Sequence, residues 1–207
     1  MEKKKSIKER TVIVLNPGHA PNTPGKCSPD GTLREWEWNR CCATVTADVL
    51  RGQGYRVILA VAEDEKISLT APVQQANAMC RTYGKENVLF ISIHCNAAGN
   101  GKEWKSARGW SIWTTEGQTK SDRLATCIYH GAEQAFRGHL IRKDMQDGDV
   151  DYESNFYVLR KTLCPAVLIE HFFMDNKEDC AFLKTDNSKR LAAAAILAGV
   201  EEYLSEH

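Results

Sequence analysis

Two histidines and a glutamate stand in this chain where apolar runs stop, and side chains of these types could hold a divalent metal and move a proton beside it. His19 follows Thr11–Leu15 and the turn-forming Asn16-Pro17-Gly18, His94 follows Val88–Ile93, and Glu170 follows Ala166–Ile169. Unbroken aliphatic and β-branched runs of this length read as strands buried on both faces. Each side chain is therefore expected at the carboxyl end of a strand, the rim where open α/β sheets bind ligands. If the three strands are neighbours, two imidazoles and a carboxylate converge there. Two histidines and one carboxylate, with Glu35 as a candidate for the carboxylate, are a known ligand set for catalytic zinc, which keeps its fourth position for water. No short signature such as H-E-x-x-H joins these residues, because ligands on strand ends lie far apart in the chain.

A further carboxylate, Glu35, opens the run Leu33-Arg34-Glu35-Trp36-Glu37-Trp38-Asn39. An acidic residue at a helix start is favourable on the dipole alone, and that reading competes with a metal ligand. Successive helical residues turn by about 100°, so Glu35 and Glu37 face nearly opposite ways. Glu35 shares a side with Asn39, and Glu37 is expected to face solvent. For Glu170, the alternative to a role at the rim is a buried ion pair, with Arg160 as the partner.

The elements that must position these residues alternate in period. After the first strand and a Pro/Gly-rich loop, Trp38, Cys42, Val45 and Val49 mark a helix that Gly52 and Gly54 end. Tyr55–Ala60 reads as a strand, Leu69, Val73, Ala76 and Cys80 as a helix, and Val88–Ile93 as the next strand. This β-α-β-α-β order implies a mainly parallel sheet covered on both faces. Later, Gly109–Thr114, Asn155–Arg160 and Ala166–Ile169 read as strands. Leu124, Ile128, Ala132 and Ala135 mark one helix, and Ala193, Leu197, Val200 and Leu204 another from about Ser188.

Composition bounds the function. The 207 residues, 43% hydrophobic and without an internal repeat or linker, suit one domain with a large core. Lysine plus arginine equals aspartate plus glutamate at 27 each, which argues against a nucleic-acid partner or a polybasic membrane anchor. The basic segment 1–10, with lysines at 3–5, reads as a solvated tail ahead of a domain over 11–207. No signal-peptide core follows it and no run is long enough to span a membrane. The expectation is synthesis in the cytoplasm, with action elsewhere after release or export by another route. The eight cysteines include no C-x-x-C pair and mostly lie in apolar patterns, as reduced buried thiols do; a zinc–thiolate site is the alternative. The acidic run Asp147–Glu153 lacks the sixth-position glycine and twelfth-position glutamate of a calcium loop and is expected to be solvated. His130 and His139 lie away from any strand end and read as structural.

The pieces LNPGHAPNTPG (15–25), LREWEWNR (33–40), ISIHCNA (91–97) and YVLRKTLCPAVLIEHFFMDN (157–176), with the closing Ala-rich helix, resemble the zinc-dependent N-acetylmuramoyl-L-alanine amidases of the Amidase_3 family. They occur in the family's order across nearly the whole chain. The resemblance implies a single α/β domain, a mixed, mostly parallel sheet of about six strands flanked by helices on both faces. It also implies one zinc ion held by His19, Glu35 and His94, with Glu170 as the catalytic glutamate, and a peptidoglycan substrate cleaved between N-acetylmuramic acid and L-alanine, as in endolysins. A monomer is expected. A zinc peptidase acting on stem peptides, or a non-catalytic wall-binding module, would share much of this pattern.

Three further residues are candidates for substrate contact: Asn96 beyond His94, Trp104 in the loop Cys95–Arg108, and His171. Trp104 could equally form a lid over the core. His171 departs from the family's usual small residue after the catalytic glutamate. Alternation along a strand turns it away from the metal unless the strand has already ended.

Overall fold

The computed structural model describes residues 6–60 and 69–206, so the three lysines at 3–5 lie outside the described residues. In chain order the elements are α1 (Ile7–Arg10), β1 (Val12–Pro17), α2 (Glu35–Gly52), β2 (Arg56–Leu59), α3 (Thr70–Tyr83), a 3-10 turn (Lys85–Asn87), β3 (Val88–Asn96) and β4 (Ser111–Thr114). These are followed by α4 (Lys120–Ala135), β5 (Tyr152–Glu153), α5 (Tyr157–Arg160), β6 (Ala166–Phe173), α6 (Lys177–Leu183) and α7 (Asp186–Ser205). The short α1 begins with Ser6 and Glu9 capping each other reciprocally, and Lys8 reaches Glu201 at 2.6 Å.

The sheet runs β2-β1-β3-β6-β4-β5, parallel throughout except where β4 meets β6. From β1 the chain crosses by α2 to β2 on one side, then by α3 to β3 on the other. The gap between β1 and β3 is therefore a topological switch point, where the two crossovers part and leave a crevice at the strands' carboxyl ends. Alternation sorts the side chains. Ile13, Leu15, Leu89, Ile91 and Ile169 face one layer, covered by α2, α4 and α7, and Val12, Val14, Phe90 and Leu168 face a second layer under α3 and α5.

The structure corrects two sequence readings. In α2 the buried stripe is Trp38, Asn39, Cys42, Ala43, Thr46, Ala47 and Leu50, while Val45 and Val49 are only half-buried. Trp38 and Cys42 lie on the buried face as the sequence spacing implies, but the stripe passes beside Val45 and Val49, because small residues let α7 come close and so hold the innermost positions. In α7 the expected Ala193, Val200 and Leu204 are buried, and Ala192, Ala195, Ile196, Gly199 and Tyr203 widen that face. The segment Asn155–Arg160 is not a strand. Lys161 N–H donates to Tyr157 O and Arg160 N–H to Phe156 O, closing a helical turn. Both edges of β6 are already taken, by β3 and β4, so Val158 and Leu159 bury on the sheet's face instead of in a ladder.

Helices α4 and α7 touch through glycine. A methyl group on Gly199 would stand 2.4 Å from Ile128 Cα and 2.6 Å from its backbone nitrogen, with no flexible side chain to yield. Gly199→Ala is accordingly expected to destabilise the fold by roughly 1–3 kcal/mol, read as a lowered urea midpoint at unchanged slope.

Candidate metal centre and its cleft

The strand order brings the sequence-predicted residues to one place. His19 lies two residues beyond β1, and its backbone takes a left-handed φ of 62°, a strained conformation for a non-glycine residue that re-aims the side chain over the rim. His94 is in β3, which runs three residues further than the apolar run suggests. Glu170 in β6 is its direct register partner, so both point to the same face. Glu35, the first residue of α2, reaches in from the helical layer and is 1% exposed.

Glu35 Oε1 is the hub. It lies 3.2 Å from His94 Nδ1 and 3.4 Å from His19 Nε2, and accepts from the backbone N–H of Cys95 at 3.2 Å. One donor atom from each of His19, Glu35 and His94 falls within 4.8 Å of the others, and the two imidazoles meet edge to face at 5.0 Å between centroids. Burial draws the His19 pKa down to about 4, with His94 and Lys26 adding to it against Glu35, so His19 is a neutral imidazole, the form that binds metals. Burial is the largest influence on His94 and works against its charge, but the hydrogen bond to Glu35 together with the charges of Glu170 and Glu35 outweighs it and holds the imidazole above its ordinary value. Glu35 answers in kind: burial opposes its ionisation, yet His94 and His19 keep it below the usual carboxylate range.

Two buried carboxylate oxygens here, Glu35 Oε2 and Glu170 Oε2, have no hydrogen-bond partner, although Lys26 Nζ stands 3.7 Å from the former. Lone pairs left over beside two imidazoles are what a bound cation would use, so the donor set fits a divalent metal. Burial, with the charge of Glu35 adding and His94 opposing, pushes the Glu170 carboxyl up to about 7. No ion pair joins Glu170 to Arg160 among the described residues. Glu37 is exposed on the far side of α2. Glu37→Ala should therefore leave metal content and activity within about twofold of wild type, as surface substitutions do; a metal-free variant would mean that Glu37 supplies a ligand.

His19, His94 and Glu170 line a cleft of about 290 Å³ with Asn16, Lys26 and Arg40, and Leu69, Pro72, Phe156, Tyr157 and Val158 make its apolar wall. None of the three residues suggested for substrate contact lines it. Asn96 turns its Oδ1 back to accept from the N–H of Ala97, and Trp104 packs against the core on the helical side. His171 is 1% exposed, sits between Trp38 and Trp110, and places Nδ1 3.3 Å from His94 O. Strand alternation holds through Glu170 and sends His171 to the opposite face, so the irregularity falls one residue later, at Phe172 with φ 61°. His171 thus packs behind β3, on the face of the strand turned away from the cleft.

Sequence reasoning missed the supports. In the sequence Gly18 shows only as part of a turn, but a methyl group there would lie 1.9 Å from His94 Cε1. Asn39 donates to Gly18 O at 3.0 Å, and Ser92 Oγ lies 3.1 Å from His94 Nε2 while accepting from Asn16 at 2.8 Å. The Asn39 side was legible from its spacing to Glu35; the others carry no local signal.

Comparisons with known proteins point the same way. The family Amidase_3, described as N-acetylmuramoyl-L-alanine amidase, matches residues 13–202. The N-acetylmuramoyl-L-alanine amidase AmiC of Neisseria meningitidis is 27% identical over 235 residues, covering 95% of this chain and 53% of that protein. The amidase CwlM of Bacillus licheniformis is 31% identical, covering 84% of this chain and 60% of its own length. The chain thus spans roughly half the length of these relatives. The crystal structure of an N-acetylmuramoyl-L-alanine amidase from Clostridium difficile 630 is similar with a TM-score of 0.80 at 26% identity, covering 95% of this chain and 98% of that one. With a family match over almost its whole length, and a sheet, rim and cleft in keeping with it, the chain belongs to the Amidase_3 family of N-acetylmuramoyl-L-alanine amidases.

Proposed function

We propose that this protein hydrolyses the amide between the lactyl group of N-acetylmuramic acid and L-alanine in peptidoglycan, with one zinc ion held by His19, Glu35 and His94 and with Glu170 as the proton-transfer residue. The observation that carries the reading is the meeting of two imidazoles and a buried carboxylate beside a second, unpartnered carboxylate in the cleft of an Amidase_3 chain. Two nitrogens and one carboxylate are a recurring catalytic zinc set.

When bound, zinc polarises a carbonyl and lowers the pKa of a coordinated water towards roughly 7. The remaining work falls to the chain. An amide nitrogen leaves only if it is protonated as it departs, so a group is needed that takes a proton from the attacking water and passes it on. Glu170 has a free oxygen in the cleft and a carboxyl held near 7, where both gain and loss of a proton are easy at neutral pH. The apolar wall of Leu69, Pro72, Phe156 and Tyr157 limits competing water and offers flat surface to a sugar or peptide. Lys26, beside Glu35 at the cleft's edge, adds positive charge facing an acidic stem peptide.

The test is digestion of purified peptidoglycan followed by mass spectrometry of the new ends. Free L-alanine amines beside intact disaccharides support the amidase. New amines at internal stem positions would mean a peptidase, and an undigested but bound wall would mean a binding module.

A further inference from the structure

Three carboxylates meet at the other side of the sheet, beyond β4. Asp122 in the first turn of α4, Asp149 in the loop before β5 and Asp151 directly ahead of β5 offer oxygens that lie within 4.8 Å of one another. The run Asp147–Glu153 reads from sequence as solvated, but Asp151 is 1% and Asp122 3% exposed, and Asp149 is half-buried. Hydrogen bonds satisfy only part of this group. Asp122 Oδ2 accepts from Thr119 Oγ1 at 2.8 Å and from the Thr119 N–H at 2.5 Å, and Asp149 Oδ2 accepts from Gln118 Nε2 at 2.8 Å. Thr114 Oγ1 lies 2.5 Å from Asp151 Oδ2 and 3.0 Å from Asp122 Oδ1. A hydroxyl has one proton, so it can serve only one of those two oxygens at a time. Asp151 Oδ1 and Asp149 Oδ1 are buried with no hydrogen-bond partner. Among the described residues no lysine, arginine or histidine pairs with any of the three.

We propose that Asp122, Asp149 and Asp151, with the Thr114 hydroxyl, form a calcium site separate from the candidate metal centre, and that the ion ties the loop ahead of β5 to α4. All the donors are hard oxygens, which select calcium or magnesium over zinc. They come from a helix, a strand and a loop in irregular array, which calcium accepts and which magnesium, with its demand for near-ideal octahedral geometry, does not. The unpartnered Asp151 oxygen, in a side chain closed off from water, needs a positive counterpart from somewhere. Consistent with that need, burial first and the neighbouring aspartates after it push the Asp151 carboxyl up to about 8, with the Thr114 hydrogen bond opposing. The consequence reaches the cleft. Asp151 leads directly into β5 and then into Phe156, Tyr157 and Val158, so an ion here would fix one end of the segment that walls the cleft.

The experiment uses the full chain, cleared of calcium with zinc resupplied, and reads thermal unfolding and terbium luminescence. Trp113 and Tyr152, tilted against each other at 4.8 Å between centroids and adjacent in the chain to Thr114 and Asp151, are placed to sensitise a lanthanide in the site. Calcium is expected to raise the unfolding temperature saturably, with half-saturation at or below about 1 mM, and to displace terbium. Asp151→Asn and Asp149→Asn should each weaken both effects at least about tenfold, since each removes one of three ligand charges. Asp149 is half-buried, so its variant carries the test if Asp151→Asn fails to fold. Absence of saturable binding, or binding indifferent to both substitutions, overturns the site; a stronger response to magnesium overturns the calcium assignment. If the cluster is instead closed by a proton on Asp151, stability will fall as pH rises from about 4 through about 8, and Asp151→Asn will abolish that fall with no calcium effect.

Discussion

Glu170→Gln is expected to leave zinc bound and the fold intact while lowering amide cleavage by about 10²–10⁴-fold, the range that a positioned proton-transfer group contributes. Glutamine keeps the shape of the side chain and can still accept a hydrogen bond, so a loss confined to turnover isolates the proton. Release of L-alanine amines measures turnover, metal analysis measures zinc, and circular dichroism measures the fold. Activity near wild type would remove Glu170 from the chemistry, and loss of zinc would make it a ligand instead. The same variant has a stability signature. In metal-free protein the folded pKa of Glu170, about 7, is raised above its ordinary value of 4.5, so wild-type stability is full below about 4.5 and declines as pH rises through 7. Glutamine carries no charge to bury, so the variant should gain in urea midpoint relative to wild type across that window. Absence of the gain would mean that the Glu170 oxygen without a hydrogen-bond partner is stabilised by solvent.

What was legible in the sequence follows from what leaves a local trace. β1, β3 and β6 are buried on both faces, so each appears as an unbroken apolar run, and the polar residue that ends each run marks the rim. His19, His94 and Glu170 could be found this way. Glu35 could be told from Glu37 because helical spacing puts only one of them beside Asn39. In α2 the buried positions Trp38 and Cys42 were legible, but the rest of the stripe was not. Alanine, threonine and asparagine hold its innermost positions because a neighbouring helix packs close, and valine's hydrophobicity outranks them in any one-dimensional pattern. The turn at Tyr157–Arg160 was hidden for a related reason. Its residues have strand character, and only the prior occupation of both β6 edges excludes them from the sheet. The acidic cluster joins residues of α4 with residues on either side of it, so a reading of Asp147–Glu153 alone could not tell that Asp122 and Thr114 close over it.

His94→Ala removes a donor outright and should weaken zinc binding by at least about 10³-fold, with activity following, because a ligand lost from a three-residue set costs several kcal/mol. Gly18→Ala asks the sharper question, since it keeps all three donors. The Gly18 backbone does not need a left-handed φ, so alanine brings no backbone strain. Its methyl group would overlap the His94 ring, at 1.9 Å from Cε1 and 2.3–2.4 Å from both nitrogens. An imidazole at the edge of a cleft can rotate away from that methyl, so the fold should keep most of its stability, within about 1 kcal/mol. The rotated ring, however, leaves Glu35 Oε1 and its 3.2 Å contact, and the donors no longer meet. Zinc affinity is therefore expected to drop by roughly 10–100-fold, the cost typical of disturbing a residue that only orients a ligand. Equilibrium competition with a chromophoric chelator measures the affinity, and urea denaturation of the metal-free protein measures the fold. A Gly18→Ala protein that binds zinc like wild type would show that the ring's position against the backbone is not what sets the centre's geometry. One that unfolds would place the strain in the turn after β1 instead of in the histidine.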